Sequence, residues 1–102
     1  MYIHNTHNED GFEWDPAKDR ANRAKHGISF LEAASAFLDE RGMILADPDH
    51  SGSEDRFVLL GLSARARLLV VVHCWRSGDT VIRIISARAA VSAEARQYLR
   101  RR

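Results

Sequence analysis

The chain has 102 residues, of which 45% are hydrophobic and 28% charged. That suits one soluble globular domain with a core large enough to stand without staples. No apolar run reaches bilayer length and no signal-peptide pattern is present, so the expected compartment is the cytoplasm. The net charge of +1 hides a division. Residues 1–55 carry five Lys/Arg against twelve Asp/Glu, a net of −7, while residues 56–102 carry ten against two, a net of +8. All ten cations of the second half are arginines, whose planar fork matches phosphate better than the point charge of lysine does. Either the two halves neutralise each other across the fold, or the second half builds an anion-binding face.

Met1 to Gly11 is polar and reads as a flexible leader, leaving residues 12–102 as a single domain. His4 and His7 have no third ligand at a defined spacing, so no metal site is expected there. Phe12-Glu13-Trp14 alternates as a short edge strand does. Asp15-Pro16 then supplies a helix cap and a first helical residue, and Gly27 ends that helix after His26. Ala17, Ala21 and Ala24 form a small-residue face suited to close packing. Most of the cations around it decorate a solvated surface, and Lys25-His26 complements the helix dipole.

Ser29 and Glu32 have capping-box spacing, and Phe30, Ala33, Ala34, Phe37 and Leu38 follow on one face of a helix ending near Asp39. Met43 to Ala46 is a short strand, and residues 47–55 (DPDHSGSED) form a polar loop. Three strands follow, linked by short turns: Arg56 to Leu62, Leu68 to Arg76 and Thr80 to Arg88. Cys74 lies in the middle one as a small buried hydrophobe. Ser92 caps a last helix with Glu94 in its first turn and Ala95, Tyr98 and Leu99 on one face. The expected class is α+β, in the order β-α-α-β-β-β-β-α. The sheet is antiparallel, with two N-terminal helices packed on it and a C-terminal helix.

The last strand, TVIRIISAR, is apolar on both faces, as a central strand is. Strict alternation puts Val81, Arg83, Ile85 and Ala87 on one face and Ile82, Ile84, Ser86 and Arg88 on the other. Each face then carries one arginine, which needs an anionic partner or an exit to water. No phosphate-binding glycine loop, CxxC pair, HExxH or GxSxG motif is present. What remains is a cationic sheet: Arg56, Arg65 and Arg67 in one turn, Arg76, Arg83 and Arg88. Such a surface suits a polyanion, with Trp75 and Tyr98 either stacking bases or packing in the core. RNA brings its own nucleophile, the 2′-hydroxyl, so a metal-free ribonuclease needs a base, a phosphate clamp and an acid. Candidates for proton transfer are His50, Glu54, Asp55, His73 and Tyr98. Among these His73, inside an apolar strand, reads more readily as a core histidine.

The segments FEWDPAKDRANRAKHGISFLEA, LADPDHSGSEDRFVLLGLSARARLLVVVH and IRIISARAA, the last followed by E-x-x-x-Y, resemble the BrnT toxins of type II toxin–antitoxin systems. The likeness runs from about Phe12 to Tyr98. It implies a RelE/ParE-like fold and a ribonuclease that needs no metal or other cofactor and blocks translation. It also implies a BrnA-type antitoxin partner, commonly in a heterotetramer whose operator DNA is bound through the antitoxin, and no membrane. By position it points to Lys25, His26, Glu54, Arg56, Arg83, Arg88 and Tyr98. On this reading Glu54, Arg56, Arg83, Arg88, Tyr98 and His50 are the catalytic candidates, and Lys25, His26, Arg65, Arg67 and Arg76 contact RNA. Two alternatives stand beside it: a non-catalytic basic groove for an acidic partner, and a gyrase-directed toxin of the same fold.

Overall fold

The computed structural model of the chain describes residues 7–9 (backbone only), 11–47, 55–76 and 78–101. His50 and Glu54, like most of the acidic loop, lie outside the described residues. The elements are β1 (His7–Glu9), β2 (Phe12–Trp14), α1 (Pro16–His26), α2 (Phe30–Ser35) running into a 3-10 turn (Ala36–Leu38), β3 (Met43–Ala46), β4 (Phe57–Leu62), β5 (Leu68–Arg76), β6 (Val81–Ala89) and α3 (Ser92–Arg100). Six strands form one sheet in the order β1-β2-β6-β5-β4-β3. The class is α+β, as expected, and the meander of β3 to β6 is antiparallel. Two features go beyond the expectation. Residues 7–9 of the anticipated leader pair with β2 as β1, so β2 is not an edge strand, and β2 runs parallel to β6, which makes the sheet mixed.

Helix termini follow from local chemistry. The Asp15 carboxylate accepts the Ala17 N–H at 2.9 Å, Pro16 opens α1, and Gly27 closes it in the left-handed region at φ 70. Ser29 Oγ accepts the Glu32 N–H at 3.0 Å. The Glu32 carboxylate, however, turns inward to Ser63 and Arg67 rather than completing a capping box. At the third helix Glu94, not Ser92, does the capping, by accepting the Val91 N–H at 2.9 Å.

The main core lies between α2, its 3-10 extension and one face of the sheet. Trp14, Ile28, Phe30, Ala33, Ala34 and Ala36 pack there on Leu59, Leu69, Val71, Ile84 and Ala87. Trp14 and Phe30 meet edge to face at 6.2 Å. At Gly61 an added Cβ would come within 2.9 Å of the Ala36 carbonyl oxygen, so this strand position must stay bare for the 3-10 turn to approach. Leu38, expected on the buried stripe, is 81% exposed. The tightening to 3-10 geometry at Ala36 advances each residue farther round the axis than an α-helix does and swings Leu38 outward.

Helix α1 attaches in an unexpected way. Ala17, Ala21 and Ala24 are exposed, and the buried group on this helix is Asn22. Its side-chain amide donates to the Ala87 carbonyl at 2.8 Å and to the Ile28 carbonyl at 2.9 Å, while its oxygen accepts the Ala87 N–H at 3.1 Å. β2 pairs with β6 only at Ile82 and Arg83, so Asn22 takes over as hydrogen-bonding neighbour farther along.

The β5–β6 ladder carries a one-residue slip. His73 pairs with Ile84, but Val72 pairs with Ser86, leaving Ile85 without a counterpart. Such a bulge reverses the alternation beyond it. Ile82, Ile84, Ala87 and Ala89 consequently share the helix-bearing face with Leu69, Val71 and His73. Arg83, Ser86 and Arg88 share the other face. The strict alternation expected from sequence, one arginine on each face, is thereby corrected.

His73 is a core histidine. It is fully buried between Phe37 and Phe57, with ring centroids at 4.8 and 6.2 Å, and its Nδ1 sits 3.1 Å from the Val71 carbonyl. Its Nε2 has no hydrogen-bond partner among the described residues. Burial holds its pKa below the ordinary 6.5, so the ring is neutral and donates from Nδ1.

Two predictions follow from these contacts. Replacing Asn22 with Ala strands the Ala87 N–H and two carbonyls in a dry setting and should remove about 3 kcal/mol of stability, read by urea unfolding. Because the folded-state pKa of His73 is depressed, its contribution to stability is complete above about pH 6.5 and declines as the pH falls. Thermal or urea unfolding between about pH 7 and pH 5 should show a loss of up to about 1.4 kcal/mol per pH unit that is absent in His73→Leu.

Candidate functional site

The face opposite α1 and α2 can be read rung by rung. One cross-strand row runs Leu45, Val58, Val72, Ser86, and the next runs Met43, Leu60, Val70, Arg88. On the other side of the first row lies Cys74 opposite Arg83, which is itself opposite Glu13. Arg56 immediately precedes β4, and continuing the β4–β5 ladder one step sets it on the far side of Cys74. Arg76, opposite Val81, lies one rung farther out. Four of the expected arginines, Arg56, Arg76, Arg83 and Arg88, thus fall on one face around an aliphatic strip. Helix α3 flanks this face, and a groove of about 280 Å³ remains, lined by aliphatic residues of β3 to β5 together with Asp47, Arg88 and Glu94.

Two of these arginines are oriented by carboxylates. Arg83 Nη1 donates to Glu13 Oε2 at 2.8 Å, with the side chains 24% and 16% exposed. Arg88 pairs end-on with Glu94, Nη1 to Oε1 at 2.9 Å and Nη2 to Oε2 at 2.8 Å, and Nη1 also donates to the Ala89 carbonyl at 3.2 Å. The Arg88 hydrogen bond holds the Glu94 carboxyl below its usual pKa, and the Val91 N–H adds to this. The end-on pairing leaves the adjoining edge of the Arg88 guanidinium, Nε–H and one Nη2–H, as a fork of the kind that grips two phosphate oxygens. Partly exposed pairs of this sort contribute about 1 kcal/mol or less, so they orient the arginines without locking them away from an incoming anion.

The remaining candidates do not gather there. Arg67 clamps the helix-bearing side: its Nε donates to Glu32 Oε2 at 2.9 Å, and its Nη2 donates to Glu32 Oε1 and to the Gly27 carbonyl. The Arg67 hydrogen bond lowers the Glu32 pKa against the opposing effect of burial. Arg65, in the same turn, is exposed, and so are Lys25 and His26 at the end of α1. Tyr98 donates its hydroxyl to Asp39 Oδ2 at 2.6 Å, which raises its pKa above the usual 10.0. Asp39 also accepts the Leu62 and Arg41 N–H groups, and these bonds outweigh its burial and lower its pKa.

A larger cavity of about 590 Å³ is lined by Asp55, Phe57, Trp75 and Asp79. Trp75 alternates with Arg76 and so belongs to the helix-bearing side, away from the arginine rows. Among the described residues this cavity is lined by two carboxylates and no arginine, whereas the smaller groove sets Arg88 beside Asp47 and Glu94.

Sequence reading missed Glu13 and Glu94 as partners of the arginines. Glu94 has a local signal, since it stands six residues after Arg88 across a short bend into a helix. Glu13 has none, because it meets Arg83 only through the parallel β2–β6 pairing of residues 70 apart.

Among the described residues no helix is long and apolar enough to cross a membrane. No curated protein matches the chain significantly. A family model described as "Ribonuclease toxin, BrnT, of type II toxin-antitoxin system" matches residues 14–94, which run from the last residue of β2 to the first turn of α3 and include every arginine of the face just described. The chain therefore belongs to the BrnT family of ribonuclease toxins of type II toxin–antitoxin systems, a membership that implies an antitoxin partner.

Proposed function

We propose that this chain is a metal-independent endoribonuclease that holds single-stranded RNA against the arginine face. The observation carrying this reading is the bulge at Ile85, which turns Arg83 and Arg88 to the same side as Arg56 and Arg76. Arg56 and Arg83, flanking Cys74 on neighbouring strands, hold the scissile phosphate and neutralise the charge it gains in the transition state. The 2′-oxygen attacks the adjacent phosphorus and the bond to the 5′-oxygen breaks, leaving a 2′,3′-cyclic phosphate and a 5′-hydroxyl. Glu54 or His50, in the loop that leads into Arg56, takes the 2′ proton. Tyr98, whose hydroxyl sits on Asp39 beside Leu62 at the opposite end of β4 from Arg56, and Lys25 on the helix-bearing side serve the RNA beyond this phosphate, and the departing 5′-oxygen takes its proton from water. Arg76, Arg65 and the α1 pair Lys25 and His26 extend the path for the RNA backbone. Arg67 supports the fold through Glu32 instead.

In the cell this activity acts in the cytoplasm and stops translation. A BrnA-type antitoxin neutralises it in a heterotetramer that binds operator DNA through the antitoxin. A partner seated on the arginine face would block the substrate and supply its own anions to the same guanidinium groups. A gyrase-directed action or a purely passive groove fits the family match less well.

Purified protein in excess EDTA should cleave RNA to products ending in cyclic phosphate. Arg83→Ala and Arg88→Ala should each lower kcat/KM by about a hundred-fold. Intact RNA with the unaltered chain, or cleavage that both variants retain, would overturn the assignment. Induction in cells should arrest growth, with relief by the adjacent antitoxin gene. RNA affinity should fall steeply between low and physiological salt as counterions are released, and a flat response would remove phosphate contacts as the main source of binding.

A further inference from the structure

Ser86 is chemically out of place in its row. It follows the unpaired Ile85, faces Val72 across the ladder, and continues the line of Leu45 and Val58. The residue is half-buried, and its hydroxyl makes no hydrogen bond to any described residue. Neither pairing nor packing calls for an oxygen there, since alanine or valine would serve an aliphatic row as well.

Its position relative to the two guanidinium groups gives the hydroxyl a use. Arg83, Ser86 and Arg88 stand opposite Cys74, Val72 and Val70, which are successive same-face positions of β5. Same-face neighbours on a strand are about 7 Å apart, so Arg83 and Arg88 are rooted about 13 Å apart with Ser86 midway. Each is held by a different carboxylate, Arg83 by Glu13 directly across on β2 and Arg88 by Glu94 on α3. Guanidinium groups held apart in this way grip different phosphates of one strand rather than the oxygens of one. A ribose between those phosphates then lies over Ser86, with Val72 and Val58 beneath it.

We propose that the Ser86 hydroxyl recognises the 2′-hydroxyl of that intervening ribose and so distinguishes RNA from DNA. The inference rests on the ribonuclease reading above and names a specificity residue for it. A serine hydroxyl and a 2′-hydroxyl can each donate and accept, so one hydrogen bond forms with ribose and none with deoxyribose.

The test measures dissociation constants for one short single-stranded sequence made as RNA and as DNA. Binding is read by fluorescence anisotropy on ice, with strand integrity checked on a gel. Unaltered protein, Ser86→Ala and Ser86→Thr are compared, and thermal unfolding checks the fold of each. Loss of one such bond should weaken RNA binding by Ser86→Ala about five-fold, leave DNA binding unchanged, and be rescued by Ser86→Thr. Equal weakening toward RNA and DNA, or no change toward RNA, overturns the inference while leaving the nuclease assignment intact when the unaltered chain still cuts RNA. An unaltered chain that neither binds nor cuts RNA removes the assignment and this inference together.

Discussion

A single extra residue in one strand decides what this sheet can do. Without the slip that leaves Ile85 unpaired, β6 would send Arg83 to one face and Arg88 to the other. One of the two guanidinium groups would then enter the packed layer beneath α2, where a charge without a carboxylate costs several kcal/mol. With the slip, the strand sends Ile84 and Ala87, three residues apart, into the same core and both arginines outward. The bulge thus satisfies the core and assembles the cationic face in one step. Bulges re-aim side chains, and here the re-aimed ones are those that give the face its charge.

The charge division in the sequence resolves into two different uses of the acidic half. Glu32 is buried and serves architecture: with Ser63 and Arg67 it ties the β4–β5 turn to α2, and Arg67 reaches on to the Gly27 carbonyl. Glu13 stands at the rim of the arginine face and orients a guanidinium that stays partly in water. Glu94 does the same from the otherwise basic half. Neutralisation and an arginine-bearing face, posed as alternatives by composition, therefore coexist in the same protein. Burial separates them, because a pair in the wet rim can exchange partners while the Glu32 carboxylate is held among several donors.

Legibility in the sequence followed the range of the interaction. α1 was bounded correctly because Asp15, Pro16 and Gly27 act on their immediate neighbours, and the apolar start of α2 was equally plain at Phe30, Ala33 and Ala34. The three long strands were recoverable from β-branched runs and turn residues. His73 was correctly read as a core residue from its apolar setting. What escaped was non-local. The bulge appears only when β6 is laid against β5, Glu13 reaches Arg83 through a parallel pairing, and Glu32 abandons its cap for a turn some thirty residues on. The alanine stripe of α1 suggested packing, but the helix is held by the Asn22 amide, whose partners cannot be guessed from spacing. Of the candidate site, the gathering of four arginines follows from strand register alone, and the anticipated link of Arg67 to them does not.

The grip of Asn22 on Ala87 has a bearing on how other chains can approach. A strand whose outer N–H and C=O groups are unmet invites an extended peptide to line up beside it. Beyond Arg83 the outer margin of β6 would offer such an opening, because β2 stops short, and the Asn22 amide closes it at Ala87. The sheet's other free margin lies along β3, residues Met43–Ala46, at the opposite end from β1. A guest that extends the sheet by backbone pairing is thereby steered away from β6. One that engages the middle of the molecule must do so with side chains, through the face rather than the rim.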